Sequence, residues 1–520
     1  MMELSLSSTV ICCVGMVVVI YTLKFLDWVW LKPKKMEKCL RDQGLKGTTY
    51  KFLYGDVKKM VKMITESNVK PINLTDDIVP RVLSFAHTMV TTYGMCKNCF
   101  TWMGPKPILH ITDPTMKKEM LGNYEDFQKI RGGNPLTRLL VQGLVVVEGD
   151  QWVKHRKIIN PAFHAEKLKH MVPAFYDSCN EMINKWEETF KEESSCEIDV
   201  WPHLQTMTSD VISRTAFGSS YEEGRKIFEL QREQADLVIT ASRSIYIPGS
   251  RFLPTKNNKR IKAIYKEVKD LVSNIIKKRL IEMKAGKISN DDLLGILLDS
   301  NYKEVKQHGN DKFGLSIDDV IEECKLFYFA GQETTANLLV WTMILLGQHI
   351  DWQNRARDEV LKVFGDRKPD TDGLSQLKII NIIFLEVLRL YPPVAAMSRM
   401  VHKETKLGNI MLPAGTLIQL HTMLSHHDPN MWGDDVKHFN PERFSQGTLK
   451  ATKGQTIYFP FGGGPRVCIG QNFSLLEAKM MLAMVLLRFS FELSPSYSHA
   501  PRTIATLVPQ FGAHLILHKR

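Results

Sequence analysis

The sequence predicts a mainly α-helical protein with a minor β-sheet, arranged as one large domain behind an N-terminal helix that anchors it to a membrane. Apolar residues recur at helical spacing through the middle of the chain, short extended runs accompany them, and the chain starts with a long uncharged segment. With 44% hydrophobic and 24% charged residues among 520, the composition is that of a globular protein. No repeat and no Gly/Ser-rich linker divides the chain, so we expect one domain after the anchor.

Helical periodicity is clearest in five stretches of the sequence. The predicted helices are residues 165–190, 259–283, 317–347, 351–364 and 381–389. Extended runs with proline and glycine nearby predict strands at residues 106–111 and 416–420. A Lys/Asn-rich stretch, residues 303–312, is predicted as a connection between helices. Helix therefore dominates, and the strands form a small accessory sheet.

The N-terminal segment, residues 4–23, contains no charged residue and has about the length that a helix needs to cross a bilayer. Six basic residues follow it: Lys24, Lys32, Lys34, Lys35, Lys38 and Arg41. This flank should stay in the cytosol, since basic residues resist translocation. A cleaved signal peptide is the alternative, but the sequence lacks a basic start and a small-residue cleavage site. We expect a single-pass signal-anchor at 4–23, a basic and aromatic linker at 24–50, and a cytosolic domain at 51–520.

The charge and cysteine content restrict the partners. A formal net charge of +12 suits anionic lipid headgroups or an acidic protein partner. Nucleic acid is not expected, because the basic residues are dispersed and no aromatic-rich binding motif accompanies them. Nine cysteines favour mostly free thiols in a reducing compartment. Cys96 and Cys99 have the spacing of a metal knuckle, but no second pair completes a zinc site, so ordinary thiols are expected.

The strongest motif is the glycine-rich loop F-G-G-G-P-R-V-C-I-G at residues 461–470. Cys468 lies just before the apolar-periodic stretch 472–489, so we expect it at a helix N-terminus, where a thiolate is favoured. The glycines let the backbone lie close to a flat macrocycle, and Arg466 offers a cation to a haem propionate. The alternative is a structural cysteine beside a turn, which a lone cysteine would favour.

A second motif is A-G-Q-E-T-T at residues 330–335, a polar cluster inside an apolar helix. The Thr334 hydroxyl can bond the carbonyl of Ala330 and open the helix beside Gly331, which creates a groove for dioxygen. The alternative is a helix kink with satisfied hydroxyl groups.

The cysteine loop resembles the cytochrome P-450 superfamily, whose pattern F-x-x-G-x-R-x-C-x-G is matched at Phe461, Gly464, Arg466, Cys468 and Gly470. The resemblance implies the cytochrome P-450 fold, with Cys468 as the axial thiolate ligand of haem iron. Thiolate ligation favours O–O bond cleavage. No C-x-x-C-H motif surrounds Cys468, so the haem, of the b type (iron protoporphyrin IX), should be held noncovalently.

The same resemblance implies roles for residues elsewhere. Glu333 and Thr334 match the acid–alcohol pair that delivers protons. The E-x-x-R motif, followed by P-E-R-F at 441–444, resembles a buried structural network of three residues: Glu386, Arg389 and Arg443. Three further residues match positions that meet a haem propionate: Trp152, Arg156 and Arg399. For these three, ordinary surface or core packing is the alternative.

Longer segments look like one plant family that includes secologanin synthase, oleanane-type triterpenoid oxidases and gibberellin oxidases. These segments are residues 30–33, 44–47, 322–335 and 499–501. The resemblance implies a terpenoid-derived substrate of triterpenoid, iridoid or gibberellin type. Residues around 96–99 and 129–134 depart from the family. The pocket candidates are the loop 123–147, Ala330, Val394, Ala395, Ala396 and Met397, although core packing explains the same composition.

The sequence as a whole therefore predicts a membrane-bound haem-thiolate monooxygenase of the endoplasmic reticulum. It would hydroxylate, or successively oxidise, its substrate with O2. The chain shows no P-loop and no G-x-G-x-x-G after a strand, so electrons from NADPH should come through the flavin of a partner, NADPH–cytochrome P-450 reductase. The alternatives are an oxygen-independent haem-thiolate isomerase or dehydratase, against which Glu333 and Thr334 argue, and a noncatalytic membrane protein that binds haem or a ligand.

Overall fold

The computed structural model describes residues 2–94, 98–130, 134–190, 193–218, 221–286 and 292–520. Its α-helices are α1 Met2–Leu26, α2 Lys32–Asp42, α3 Val57–Ser67, α4 Val79–Val82, α5 Ser84–Tyr93, α6 Pro114–Gly122, α7 Gly149–Ile159, α8 Ala165–Thr189, α9 Val200–Phe217, α10 Tyr221–Ser242, α11 Lys256–Lys284, α12 Leu293–His308, α13 Ile317–Gln348, α14 Ile350–Phe364, α15 Thr371–Gln376, α16 Lys378–Leu390, α17 Thr422–His426, α18 Pro429–Trp432, α19 Thr448–Ala451 and α20 Gln471–Arg488.

The strands are short and belong to small sheets. They are β1 Lys46–Gly47, β2 Cys99–Met103, β3 Lys106–Ile111, β4 Phe127–Gln128, β5 Ser195–Asp199, β6 Met397–Val401, β7 Thr405–Leu407, β8 Ile410–Leu412, β9 Leu417–Leu420, β10 Phe489–Leu493, β11 Pro501–Thr503, β12 Leu507–Pro509 and β13 His514–Lys519. The main sheet has the order β1-β2-β3-β9-β6-β4, and a second has the order β10-β13-β5. The prediction of a mainly α protein with a minor β-sheet is confirmed.

The predicted helices and strands correspond to α8, α11, α13, α14, α16, β3 and β9. One local prediction was wrong, because residues 303–308, expected in a connection, form the last turns of α12. Residues Leu293 to Leu298, the first part of that helix, are buried. The more polar residues after them continue the helix on the surface. The helix ends where Gly309 takes a left-handed conformation, with φ of 59°.

Helix α13 is the central element of the core. A capping box between Ser316 and Asp319 starts it, and most of its side chains are buried against neighbours that include α9, α11, α16 and α20. At Gly331 it passes very close to α9, since a Cβ placed there would lie 2.6 Å from Cδ1 of Ile212. Residues 329–331, 333 and 334 are nevertheless only partly buried. An open space therefore lies beside the middle of this core helix.

The main sheet covers a second, smaller core and positions one arginine. Strand β6 pairs antiparallel with β9, so that Arg399 lies opposite Ile418. Strand β9 in turn pairs parallel with β3. Ile418 and its neighbours bury the sheet face, which fixes the register of β6.

The N-terminal helix is continuous with the elements that pack on this sheet. A π-helical turn, Asp27–Leu31, joins α1 to α2. The Tyr50 hydroxyl donates a hydrogen bond of 2.5 Å to the carbonyl of Val29, and Met36 and Leu40 of α2 belong to the smaller core. Ser8–Asp42 is, among the described residues, a helix long and apolar enough to cross a membrane, and the side chains of its apolar part are exposed.

Candidate active site

The cysteine loop turns sharply just before α20. The backbone N–H of Cys468 donates to the carbonyl of Phe461 at 2.9 Å, and Gly464–Arg466 forms a 3-10 turn. Gly464 has a φ of 64°, and a Cβ there would lie 2.2 Å from the carbonyl oxygen of Leu121. Glycine is required at this position by both its conformation and its close neighbour.

Cys468 lies near the start of α20, as expected, with Gly470 at the N-cap. Burial raises the pKa of its thiol, while a hydrogen bond from the Gly470 N–H and the charge of Arg156 lower it. The Cys468 side chain has accessible surface, although the surrounding protein shields the thiol from bulk water. The thiol therefore opens into an interior cavity.

Four cations lie close to this loop. We define the cation cluster as Lys129, Arg156, Arg399 and Arg466, together with the carboxylate Glu148. Arg156, on α7, donates to the carbonyl of Val467 at 2.9 Å. Arg466 bonds the Glu148 carboxylate and donates to the carbonyl of Val147 at 2.9 Å.

Trp152, predicted beside a propionate, lies under this cluster. The Arg466 guanidinium is 4.3 Å from the centre of its ring, and Trp152 also packs against Tyr124. The indole is buried, so it combines the core packing that was the alternative with a direct cation–π contact to Arg466.

Arg399 and Lys129 form no ion pair within 4 Å among the described residues. Arg399 is 4% exposed, and the hydrogen bond that its side chain makes among the described residues goes to the carbonyl of Ser398 at 3.0 Å. Burial and then the charge of Arg466 lower its pKa. Burial, followed by Arg399 and Arg466, lowers the pKa of Lys129 to about 7. Glu148 opposes both shifts.

The cluster fits the two propionates of haem. Lys129, Arg399 and Arg466 share the Glu148 carboxylate, and removing positive charge from water without compensation is costly. Two further carboxylates would balance most of that charge. An open thiol, a loop of glycines and an anion-binding cluster next to it are the parts that a haem held by a thiolate requires.

The A-G-Q-E-T-T motif on α13 contains the hydrogen bond that its sequence predicts. The Thr334 hydroxyl donates to the carbonyl of Ala330 at 2.9 Å. The Glu333 side chain is directed elsewhere, and its Oε1 accepts a hydrogen bond of 2.9 Å from the Thr506 hydroxyl. Burial raises the pKa of Glu333, whereas the Thr506 bond and the charge of Arg232 lower it.

Comparison with known proteins identifies the family. A sequence model of the cytochrome P450 family matches residues 83–513. The chain belongs to the cytochrome P450 family. Cytochrome P450 CYP72A219 of Panax ginseng is 60% identical over 518 residues, covering 99% of each chain. The 7-deoxyloganic acid hydroxylase of Catharanthus roseus is 52% identical over 522 residues, covering 100% of each.

A solved structure shows the same fold at lower identity. The retinoic acid bound cyanobacterial CYP120A1 has a TM-score of 0.75 and 23% identity, covering 92% of this chain and 99% of that one. The cytochrome P-450 fold predicted from the cysteine loop is therefore confirmed. As a P450, the chain is a haem b monooxygenase that uses O2, a hydrophobic substrate and electrons from a partner reductase.

In this P450 the predicted Glu–Arg–Arg residues lie together. Arg389 donates to both carboxylate oxygens of Glu386, at 2.8 and 2.7 Å, and to the carbonyls of His426 and Val436. Both members of the pair are 0% exposed. The third residue, Arg443, lies 3.6 Å from Glu386 and also pairs with Asp435.

The pocket candidates after α16 divide into two groups. Val394 is 37% exposed, and Ala396 and Met397 are partly buried, so all three have surface to offer a ligand. The Met397 sulfur lies 3.8 Å from a Cβ built on Gly462, which places it beside the cysteine loop. Ala395 is 4% exposed within the main core and offers almost none. Ala330 is partly buried on α13.

The structure describes only part of the Cys96–Cys99 pair and of the segment 129–134. Cys96 and residues 131–133 lie outside the described residues. Cys99 is buried in β2, and burial raises the pKa of its thiol to about 12, which is the behaviour of an inert core cysteine.

Sequence reasoning missed Lys129, Glu148 and Thr506 as site residues. Glu148 lies 318 positions before its partner Arg466, and Thr506 lies 173 positions after Glu333. The signal that pointed towards Lys129 was its position at the start of the segment that departs from the plant family.

Proposed function

We propose that this P450 is a membrane-bound monooxygenase that inserts oxygen into a terpenoid-derived plant metabolite, with Cys468 as the axial haem ligand. The observation that carries the proposal is the open Cys468 thiol inside the core, next to a cation cluster with too few carboxylates. The hydroxylase of 7-deoxyloganic acid, 52% identical over its whole length, supports a substrate of terpenoid type.

Different residues would bind the iron and the propionates of the haem. Cys468 would hold the iron, and Arg156, Arg399 and Arg466 would bind the propionates, with Lys129 beside them. Phe461 holds the loop through the Cys468 N–H, and Gly470 donates to the sulfur. When bound, a haem with a thiolate ligand activates oxygen and favours O–O cleavage.

Glu333 and Thr334 would move protons beside the haem. Burial raises the pKa of Glu333, which favours the protonated form of its carboxyl group. Thr334 uses its own proton to bond Ala330, so its oxygen keeps acceptor capacity for a water or a donor in the cavity. The partly open stretch of α13 gives such a water a place to bind.

The substrate would bind in the same cavity. Ala330, Val394, Ala396 and Met397 offer small or apolar surfaces, which suits a bulky hydrocarbon skeleton. The buried Ala395 would support this wall from behind.

For the membrane, we propose that residues 4–23 form a single-pass anchor in the endoplasmic reticulum, followed by a basic and aromatic segment at 24–50 and a cytosolic catalytic domain at 51–520. The exposed apolar surface of α1 and the basic residues after it support this topology. NADPH–cytochrome P-450 reductase would supply electrons from the same membrane.

The first experiment tests the ligand. In purified protein, Cys468→Ser should abolish the thiolate-type carbon monoxide difference spectrum, because serine cannot provide the sulfur ligand. Cys39→Ser, on the partly exposed side of α2, is the matched control and should keep the spectrum. A wild-type protein without porphyrin, or a Cys468→Ser variant with an unchanged spectrum, would refute the proposal.

The second experiment tests the reaction. Microsomes with added reductase should convert one or more members of a terpenoid panel to products that contain an additional oxygen from O2. Conversion that continues without O2 and reductase would instead show an isomerase or dehydratase. No conversion of any hydrophobic substrate despite a thiolate-type spectrum would favour a noncatalytic haem protein.

Thr334→Ala should keep haem and lower the product formed per NADPH by about tenfold or more, since proton delivery in an active site contributes at least that much. Thr342→Ala is the matched control, because Thr342 makes the same backbone bond two turns farther along α13, to the carbonyl of Leu338 at 2.7 Å. Equal product per NADPH in wild type and Thr334→Ala would contradict the assigned role.

A further inference from the structure

Two hydrogen bonds join the hairpin of β11 and β12 to α13 next to the proposed proton-delivery residues. The indole N–H of Trp341 donates to the carbonyl of Leu507 at 2.8 Å. One turn earlier on the helix, Nδ2 of Asn337 donates to the Thr506 hydroxyl oxygen at 2.8 Å. Thr506 and Asn337 are both buried, so these bonds are shielded from water.

The direction of each hydrogen bond in this group is fixed. Nδ2 of Asn337 also donates to the backbone carbonyl of Glu333 at 2.7 Å, and a carbonyl can only accept. The amide nitrogen therefore faces both partners, and the Thr506 oxygen is an acceptor from Asn337. Its single proton is left for Oε1 of Glu333, 2.9 Å away.

This direction determines where Glu333 can carry a proton. If the acidic proton were on Oε1, the buried Thr506 proton would lose its acceptor, which is unfavourable. The other oxygen, Oε2, accepts no hydrogen bond within the described part of the chain and is not among its fully buried, unpartnered atoms. The acidic proton therefore belongs on Oε2.

We propose that Thr506 is a positioning residue that holds Glu333 by Oε1, so that a proton carried by Glu333 rests on Oε2, the oxygen without a hydrogen bond among the described residues. The inference rests on the proposed function of Glu333 and extends it to the C-terminal hairpin. Through Thr506, the hairpin sets both the direction of the carboxyl group and the ease with which it gives up its proton.

The charged side chains that act on Glu333 come from α10. Arg232 favours its carboxylate form, and Asp236 disfavours it. The Thr506 hydroxyl adds to the effect of Arg232, because a donated hydrogen bond stabilises the carboxylate. Removing the hydroxyl should therefore raise the pKa of Glu333.

The test replaces the hydroxyl without changing the size of the side chain. Thr506→Val removes the donor, Thr506→Ser keeps it, and Thr503→Val is the matched control, since the Thr503 hydroxyl is buried in the same hairpin and has no hydrogen-bond partner among the residues that the structure describes. The holoenzyme is titrated with pH, and the infrared carbonyl band of the protonated carboxyl group is followed. The band is assigned by its loss in Glu333→Gln.

We expect Thr506→Val to raise the midpoint of that band by about one pH unit, the shift that one hydrogen bond to a charged group produces. It should also lower the product formed per NADPH. Thr506→Ser and Thr503→Val should titrate like the wild type, and all variants should keep the thiolate-type spectrum.

Two results would overturn the inference. One is an unchanged midpoint in Thr506→Val, and the other is the same shift in Thr506→Ser or Thr503→Val. A different result would affect the proposed function alone. If Glu333→Gln turned over with normal coupling while Thr506→Val still shifted the band, Thr506 would position Glu333, but Glu333 would not deliver protons.

Discussion

The Glu–Arg–Arg residues and the cation cluster are both buried groups of charges, but they differ in how completely their charges are satisfied. Around Glu386 the carboxylate accepts two bonds from Arg389 and one from the Asn440 N–H, and Arg389 donates its remaining protons to carbonyls. Glu148, by contrast, is one carboxylate acting on three cations, Lys129, Arg399 and Arg466, and Arg399 has a single carbonyl acceptor among the described residues.

This difference separates a structural group from a binding group. Buried charge is stable only when paired and hydrogen-bonded, so a closed network needs nothing further. An open network with cations in excess is stable only when an anion completes it. An excess of cations over carboxylates in a buried cluster is therefore a better indicator of a ligand site than burial or perturbed pKa values alone.

The largest expected effect follows from breaking the closed network. Glu386→Ala should lower the free energy of unfolding by about 3–5 kcal/mol, because it leaves Arg389 buried without a counter-charge. Thermal unfolding and the carbon monoxide spectrum measure this, and little folded haem protein should remain. Lys303→Ala, which removes an exposed ion pair with Asp299, is the control and should change stability by less than about 1 kcal/mol. Equal effects of the two substitutions would contradict the comparison.

The second-largest effect, that of replacing Arg399, should differ between the haem-bound and the haem-free protein. Arg399→Met should increase haem dissociation about tenfold, the loss of one charge-assisted bond. In the haem-free protein the same substitution should leave the melting temperature unchanged or raise it, because it removes a buried cation that Arg466 repels. Arg389→Met is the contrasting variant and should destabilise both states. A fall in haem-free stability with Arg399→Met, comparable to that of Arg389→Met, would show that the cluster is closed after all.

The smallest effect at neutral pH concerns Lys129. Its pKa in the haem-free fold is about 7, below that of an unfolded lysine, so above pH 7 the unfolded chain binds more protons than the folded one. Stability of the haem-free protein should therefore rise from pH 7 towards pH 10. Lys129→Met should flatten this rise, and bound haem should weaken it by keeping Lys129 charged. Melting temperatures across this range test both, and an unchanged slope in Lys129→Met would contradict the assignment.

Most of the fold and much of the site could be predicted because their signals are local. The ten residues around Cys468 carry their own pattern, and the Thr334 bond to Ala330 lies within one helical turn. Glu148 and Thr506 could not be predicted, since each reaches its partner only through the tertiary fold and neither sits in a motif. The excess charge of the cation cluster likewise depends on which residues the fold brings together, which periodicity does not show.

Helix continues without a break from α1 through the π-helical turn into α2. The N-terminal helix is therefore a rigid extension of the domain and not a flexible tether. Its C-terminal part is held on the main sheet by two kinds of contact. The Tyr50 hydroxyl donates to the carbonyl of Val29, and Met36 and Leu40 are buried in the smaller core. A bilayer of different thickness changes the tilt of a spanning helix. For an α1 that spans the bilayer, as proposed, a change of tilt would reorient the catalytic domain, so membrane thickness would set which part of the domain surface contacts lipid and where a hydrophobic substrate enters.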